Sequence, residues 1–211
     1  MDFSASKRER RATAILAAAA HVFARRGLKA STMDEIARAA GVAKGTLYLY
    51  HPSKQELFVA VFDGLFRQLT ERMQERLDTD GGRPVAEQLR GLVADVFAWD
   101  DRFLELLPLW LEFWAAAGSG DLRERMTTSL RGIYEDVIAP VGGLLARGQA
   151  TGEFRPDFDP RAHAAVLMGA IDGLFLQAMF QVASDPRAAL EDFLDSALRG
   201  MRAAPGKGGT A

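Results

Sequence analysis

The chain has 211 residues, of which 48% are apolar, with a formal net charge of −2 and no cysteine. This length and apolar fraction are sufficient for a substantial core, and the lack of cysteine excludes disulfides and thiolate metal sites. The basic start, MDFSASKRERRA, is not followed by an apolar segment with an export cleavage pattern. We therefore expect a cytoplasmic protein with no membrane association, and no motif calls for a cofactor or a metal.

The small net charge hides an uneven distribution along the chain. Residues 1–54 carry ten lysines and arginines against four acids, a net charge of +6, whereas the remaining residues carry sixteen against twenty-four, a net charge of −8. A basic end on an acidic body is typical of a module that binds a polyanion, because phosphate contacts supply most non-specific affinity for nucleic acids.

The N-terminal third predicts short helices separated by glycine. Apolar residues recur at helical spacing over residues 8–26, and Gly27 predicts the end of this helix. Thr32 and Glu35 form a Thr-x-x-Glu capping box that opens a short second helix. This helix stops at Gly41, which can adopt the positive φ of a sharp turn.

A third short helix is predicted over residues 44–50 and ended by Pro52. Residues 53–56, Ser-Lys-Gln-Glu, form a second capping box at the start of a long helix. The sequence DTDGGRP at 78–84 breaks this helix. Its apolar stripe consists of Phe58, Val61, Phe62, Leu65, Leu69 and Met73.

Short helix, glycine turn and short helix make a helix-turn-helix, whose second helix enters the DNA major groove. Residues 15–62 also resemble the DNA-binding domain of the tetracycline-repressor (TetR) family of bacterial regulators. His51 departs from this pattern, since the family usually has phenylalanine there. The resemblance rests on Phe23, Gly27, Ser31-Thr32, Ile36-Ala37, Ala40-Gly41-Val42, Gly45-Thr46-Leu47-Tyr48, Ser53-Lys54 and Glu56-Leu57, in this order.

The resemblance implies DNA-contacting roles for four side chains. Thr32 would cap the second helix and donate to a phosphate, Tyr48 and Tyr50 would reach backbone or base edges, and Lys54 would meet a phosphate. His51 is interpreted as a packed or phosphate-facing residue at the junction of two helices.

The chemistry of the third helix supports the same surface. Lys44 and Thr46 lie in its first turn, where side chains can reach base edges, and Gly45 leaves room for close approach to DNA. Leu47 is assigned to the core of the predicted three-helix DNA-binding domain, with Leu49 as a second core candidate. The candidate DNA-binding residues are Thr32, Lys44, Gly45, Thr46, Tyr48, Tyr50, His51 and Lys54.

A dense aromatic segment follows at residues 84–120. It contains all three tryptophans and predicts either a helical core or the wall of a ligand pocket between helices. Pro108 is expected to kink a helix or mark its start. The candidate ligand-binding residues are Trp99, Phe103, Trp110, Phe113 and Trp114, with Glu112 and His163 as polar candidates.

The last two predicted helices are candidates for dimerisation. Residues 164–180 are apolar nearly all round, interrupted by Asp172 and Gln177, and too short and too polar for a good membrane span, which predicts a buried helix. The resemblance implies that this helix and the last one form a four-helix dimer bundle; alternatively, the pair only closes its own domain. The candidate interface residues are Gly169, Gly173, Leu190, Phe193, Leu194, Ala197, Leu198 and Met201.

The sequence thus predicts an all-α fold of about nine helices. We expect a helix-turn-helix domain at 1–54, a helical effector-binding and dimerisation domain at 55–204 and a flexible tail at 205–211. The predicted function is a homodimeric repressor that binds a near-palindromic double-stranded DNA operator and is released by a small apolar or aromatic effector. A helical enzyme or carrier with a basic module, and an architectural DNA-binding protein without effector, are the alternatives. Common catalytic motifs are absent from the sequence.

Overall fold

The computed structural model describes residues 7–97, 101–118, 120–182 and 185–203. Within these ranges the chain forms nine helices and no strand, as predicted. The helices are α1 Lys7–Ala30, α2 Met33–Ala39, α3 Lys44–Tyr50, α4 Lys54–Asp80, α5 Val85–Phe97, α6 Asp101–Gly118, α7 Arg123–Ala150, α8 Pro160–Met179 and α9 Pro186–Met201.

Most predicted helix boundaries agree with the structure to within a turn, and the exceptions have local causes. Helix α1 continues for one short turn beyond Gly27, whose φ of 73° and ψ of 165° kink it. Pro108, predicted to kink a helix or mark its start, lies inside α6, which continues through it. Helix α8 begins four residues earlier than predicted because Asp159 caps it, accepting hydrogen bonds from the backbone N–H groups of Arg161 and Ala162.

The chain divides into two compact units. The first consists of residues 1–69 and 100–131, and the second of residues 70–99 and 132–211, so α4 and α7 contribute residues to both. The predicted division at residue 54 concerns function rather than packing and stays a prediction. The predicted tail, 205–211, lies outside the described residues.

The core of the first unit is a chain of aromatic rings. The Phe58 ring packs 5.3 Å from that of Phe23 and 4.8 Å from that of Phe113, and the Phe62 ring lies 4.3 Å from that of Phe113. Phe66 continues the chain by packing on Trp110 at 4.6 Å. These tilted and edge-to-face contacts join α1, α4 and α6.

The core of the second unit is aliphatic and is closed by the loop after α7. Phe154 of this loop is buried within it, and the loop's Arg155 N–H donates to the Met201 carbonyl at 2.9 Å. Glu153 caps α5 by accepting hydrogen bonds from the N–H groups of Val85 and Ala86 at 2.7 and 2.8 Å. The buried core residues are Val85, Ala86, Leu89, Val93, Val141, Leu144, Leu145, Phe154, Ala164, Ile171, Leu190, Leu194, Leu198 and Met201.

Candidate DNA interface and effector site

The turn between α2 and α3 has the geometry of a helix-turn-helix. The predicted capping box is confirmed, because the Thr32 hydroxyl accepts from the Glu35 N–H and the Glu35 carboxylate accepts from the Thr32 N–H. Gly41 has a φ of 65°, as the turn requires. The fully buried Leu47 anchors α3 in the first unit, which confirms its assignment to the core.

The outer face of α3 carries Lys44, Gly45, Tyr48 and Leu49, all exposed. We call these four residues the α3 outer face. Lys44 and Tyr48 are one turn apart, as are Gly45 and Leu49, so each pair shares a side of the helix. The exposed fraction is 43% for Tyr48 and 85% for Leu49. The core assignment considered for Leu49 is therefore wrong.

The ammonium group of Lys44 is held by an acid on α2. Its Nζ donates to Asp34 at 3.0 Å, and this hydrogen bond raises the pKa of Lys44. Both side chains are exposed, so water screens the pair, and DNA can displace it at small cost.

Two of the other predicted DNA contacts are half-buried. Thr46 is half-buried, and the half-buried Tyr50 donates its hydroxyl to the backbone carbonyl of Arg8 at 3.4 Å. Thr32 is exposed, although its hydroxyl already serves the capping box. The structure thus gives Thr32 and Tyr50 positioning contacts, while their contacts with DNA stay predictions.

Lys54 has backbone partners at the end of α1. Its Nζ donates to the carbonyls of Lys29 at 3.1 Å and Ser31 at 2.7 Å. Because an ammonium group has three N–H donors, one remains for a phosphate.

His51 ends α3 and is half-buried at the junction with α4. Burial lowers its pKa, although the nearby carboxylate of Glu56 acts in the opposite direction. Burial thus favours the neutral imidazole, as expected of a packed junction residue, and a phosphate contact of His51 stays a prediction.

Glu112 contacts the kink of α1 in the first unit. Its Oε2 accepts a hydrogen bond from the Leu28 N–H at 3.4 Å, and a Cβ at Gly27 would approach its Oε1 to 2.7 Å. The carboxylate thus ties α6 to the end of α1, and its predicted place in an effector pocket stays a prediction.

Of the remaining predicted pocket residues, Trp110 and Phe113 pack edge to face with their ring centroids 6.3 Å apart. Phe113 is fully buried in the aromatic core of the first unit, and the pocket role of both residues stays a prediction. Trp110 packs on Phe66 and is half-buried, as is Trp114. Trp99 lies outside the described residues, as does the side chain of Phe103.

The last predicted polar candidate, His163, lies on the surface of the second unit. Its Nδ1 is 2.9 Å from the carbonyl oxygen of Asp159, and its ring packs 4.5 Å from that of Phe158. With Val166, it borders an apolar groove of about 210 Å³ at the surface of the second unit.

Sequence reasoning missed a polar pair between α7 and α8. The Tyr134 hydroxyl donates to Asp172 Oδ2 at 2.8 Å, and burial raises the pKa of Asp172 in spite of this bond. The signal was present in the sequence, since Asp172 is the only charged residue between 162 and 184. Its partner is 38 residues away and could not be identified by spacing.

The predicted dimer face needs correction. Leu190, Leu194, Leu198 and Met201 are buried in the core of their own chain, so they cannot contact a partner unless that core opens. Four predicted residues retain exposed surface, and their interface role stays a prediction: Gly169 and Phe193 are exposed, and Gly173 and Ala197 are half-buried.

The interpretation of residues 164–180 as a buried helix is also wrong for the single chain. Only Ala164 and Ile171 of α8 are buried, and Val166 is 63% exposed. By length and composition alone, α8 could cross a membrane, although the cores of soluble proteins contain helices of the same kind. Leu167, Ala170, Leu174 and Phe175 are partly buried against the core of the second unit, so α8 keeps only part of its apolar surface exposed in the single chain.

The described residues contain no group of three or more His, Asp or Glu side chains that could hold a metal ion.

Two family models match the chain. Residues 15–61 match the model of bacterial regulatory proteins of the tetR family. Residues 84–203 match the C-terminal model of BetI-type transcriptional repressors.

Individual relatives agree with these matches. The fatty acid metabolism regulator protein of Bacillus subtilis is 30% identical over 161 residues, covering 75% of this chain and 78% of the relative. The crystal structure of the Bacillus subtilis regulator FadR in complex with stearoyl-CoA has a TM-score of 0.74 and 26% identity, covering 90% of this chain and 99% of that one. A Saccharomonospora viridis regulator in complex with choline has a TM-score of 0.78 and 21% identity, covering 94% and 100%.

Proposed function

Since this chain belongs to the TetR family of DNA-binding transcriptional regulators, we propose that it acts in the cytoplasm as a homodimeric repressor. Residues 1–54 read the operator, and residues 55–204 bind the effector and the second copy. The family consists of regulators rather than enzymes, so the alternative of a helical enzyme or carrier is not favoured.

Within residues 1–54, the α3 outer face is the part that we assign to the major groove. It combines an ammonium group, a phenol, an open backbone at Gly45 and an exposed leucine. Lys44 and Tyr48 supply donors for base edges or phosphates. The net charge of +6 over residues 1–54 provides the attraction to the phosphate backbone.

We assign the effector site of the second unit to the surroundings of Asp172, and this side chain is the observation that carries the proposal. Asp172 is half-buried on a largely apolar helix, so its carboxylate loses favourable contacts with water. This loss of hydration raises the pKa of Asp172. A ligand with an apolar body and a cationic or hydrogen-bond-donating group would offset that cost. Tyr134 holds the carboxyl group in place for such a ligand.

A fatty acyl-CoA is the second candidate effector. It is supported by the relative that regulates fatty acid metabolism and by the FadR complex with stearoyl-CoA. An acyl chain would need apolar surroundings but no carboxyl group, so Asp172 distinguishes the two classes of ligand.

The experiment measures release of a fluorescent operator duplex by added ligand. Benzyltrimethylammonium represents apolar cations and stearoyl-CoA represents acyl thioesters. We expect the cation to release DNA from the wild-type protein, and Asp172→Asn to weaken this response about tenfold or more, as for loss of one charged contact. Asp192→Asn, which removes the same charge from the exposed face of α9, should respond like the wild type.

The outcomes separate the two effector classes. Release by stearoyl-CoA alone, unchanged in Asp172→Asn, would replace the cation with the acyl-CoA class. If the cation releases DNA equally well from the wild-type protein and from Asp172→Asn, the effector site does not involve Asp172.

A further inference from the structure

Leu49 is exposed on a helix where its neighbour Leu47 is fully buried. Its exposed fraction of 85% exceeds that of Val166, Phe180, Val182 and Phe193, the other strongly exposed large apolar side chains in the described ranges outside α3. A single exposed leucine needs no explanation on an ordinary surface. Here, however, it lies on the α3 outer face, which is otherwise suited to binding a polar ligand.

The neighbours of Leu49 allow a close approach of DNA. Gly45, one turn earlier on the same side of α3, has no side chain, and a Cβ placed there would meet no atom within 4 Å. Lys44 and Tyr48 flank this side with polar groups. The apolar side chain of Leu49 therefore lies next to the hydrogen-bond donors of Lys44 and Tyr48 and beside the open helix backbone at Gly45.

The major groove presents one apolar group to such a projection. Guanine, cytosine and adenine show hydrogen-bonding groups at its edge, whereas thymine adds the C5-methyl group. A leucine cannot form a hydrogen bond with any base edge, but it can exclude water from a methyl group.

From this arrangement we propose that Leu49 selects thymine at one position of each operator half-site by contact with its 5-methyl group. The inference rests on the assignment of the α3 outer face to the major groove. It adds a base preference to a residue that neither the resemblance nor hydrogen-bonding chemistry singles out.

The test compares thymine with uracil, which lacks only the methyl group. A duplex selected by the wild-type protein from random DNA is remade with single thymine-to-uracil changes, and each dissociation constant is measured at one salt concentration. We expect one position per half-site at which uracil weakens binding about fourfold, the value for one buried methyl group. Leu49→Ala should bind the thymine duplex more weakly and should not distinguish uracil from thymine at that position.

Lys44→Ala is the matched control on the same helix. It removes a polar contact and should retain the full thymine-over-uracil preference while binding more weakly. Because Leu49 is exposed, Leu49→Ala should keep the wild-type circular dichroism spectrum and thermal midpoint, which excludes misfolding as the cause.

Two results would overturn the proposal and can be told apart. A sequence-selective complex in which uracil is accepted at every position, or in which Leu49→Ala still prefers thymine, rejects the role of Leu49 alone. Failure to select any sequence rejects the placement of α3 in the groove and the role of Leu49 with it.

Discussion

Gln181 is a residue with a left-handed backbone at the end of α8. Its φ is 55°, its N–H donates to the Ala178 carbonyl, and the next N–H, that of Val182, donates to the Gln177 carbonyl. This pair of bonds is the Schellman motif, in which the left-handed position is usually glycine. A side chain with a Cβ is strained there by about 1 kcal/mol.

We therefore expect Gln181→Gly to raise the free energy of unfolding by up to about 1 kcal/mol, because relief of strain outweighs the added chain entropy. Urea denaturation followed by circular dichroism measures the change. Gln177→Gly, four residues earlier within the helix, should lower the free energy by about 1 kcal/mol. Loss of stability in both variants would show that the left-handed residue is not strained.

Local chemistry was predictable residue by residue, whereas long-range partners were not. The Thr32 capping box formed in full because both of its residues belong to one turn. The second box formed only in part: the Ser53 hydroxyl accepts from the Glu56 N–H, but the Glu56 carboxylate binds Arg125, 69 residues away. In the same way, the Glu112 carboxylate accepts a hydrogen bond from the Leu28 N–H on α1, a contact that sequence spacing could not predict.

The loop between α7 and α8 stabilises an element distant in sequence. Glu153 accepts from the first two N–H groups of α5, where hydrogen bonding and the helix dipole both favour a negative charge. We expect Glu153→Ala to lower the free energy of unfolding by about 2–4 kcal/mol, since two buried donors lose a charged acceptor. Glu153→Gln, which keeps one acceptor oxygen, should cost about half as much.

The control for this prediction is Asp157→Ala in the same loop. Asp157 forms an exposed ion pair with Arg155, and such pairs contribute about 0–1 kcal/mol. Chemical denaturation of the three variants tests the prediction, and equal losses for Glu153→Ala and Asp157→Ala would contradict the capping role.

At the scale of elements, the spacing of apolar residues along the sequence identifies a helix and its apolar face, but it does not show what covers that face. The spacing of Leu190, Leu194 and Leu198 correctly predicted an amphipathic α9. It was compatible with burial against a second copy or against the chain's own core, and the structure places these three residues in the core. Conversely, α8 lacks a polar face, and in the single chain one side of it packs on the chain's own core, with Ala164 and Ile171 buried, while Val166 stays exposed.

At the scale of the whole molecule, the uncovered apolar surface of α8 and α9 supports a homodimer. Val166 and Phe193 are 63% and 42% exposed and border the same apolar groove. An exposed apolar patch of this kind is typical of an interface. A second copy related by a two-fold axis would cover this surface, and the symmetry of such a dimer matches that of a near-palindromic operator.

Two adjacent residues of α9 provide a matched test of this arrangement. Phe193→Glu places a charge on the exposed surface of the single chain, so the variant should fold, but the charge would be buried in a dimer at a cost of several kcal/mol. Leu194→Glu places the same charge in the chain's own core and should unfold the second unit. Sedimentation should therefore show helical monomers for Phe193→Glu, and circular dichroism should show lost helix for Leu194→Glu.

DNA footprinting extends the same test to the operator. The wild-type protein should protect two half-sites about 34–36 Å apart, or a small multiple of that distance. The folded Phe193→Glu monomer should need a much higher concentration for protection, because each half-site must then be filled independently. If Phe193→Glu and Val166→Glu both remain dimeric and protect the operator like the wild type, the two copies meet through a surface other than the exposed face of α8 and α9.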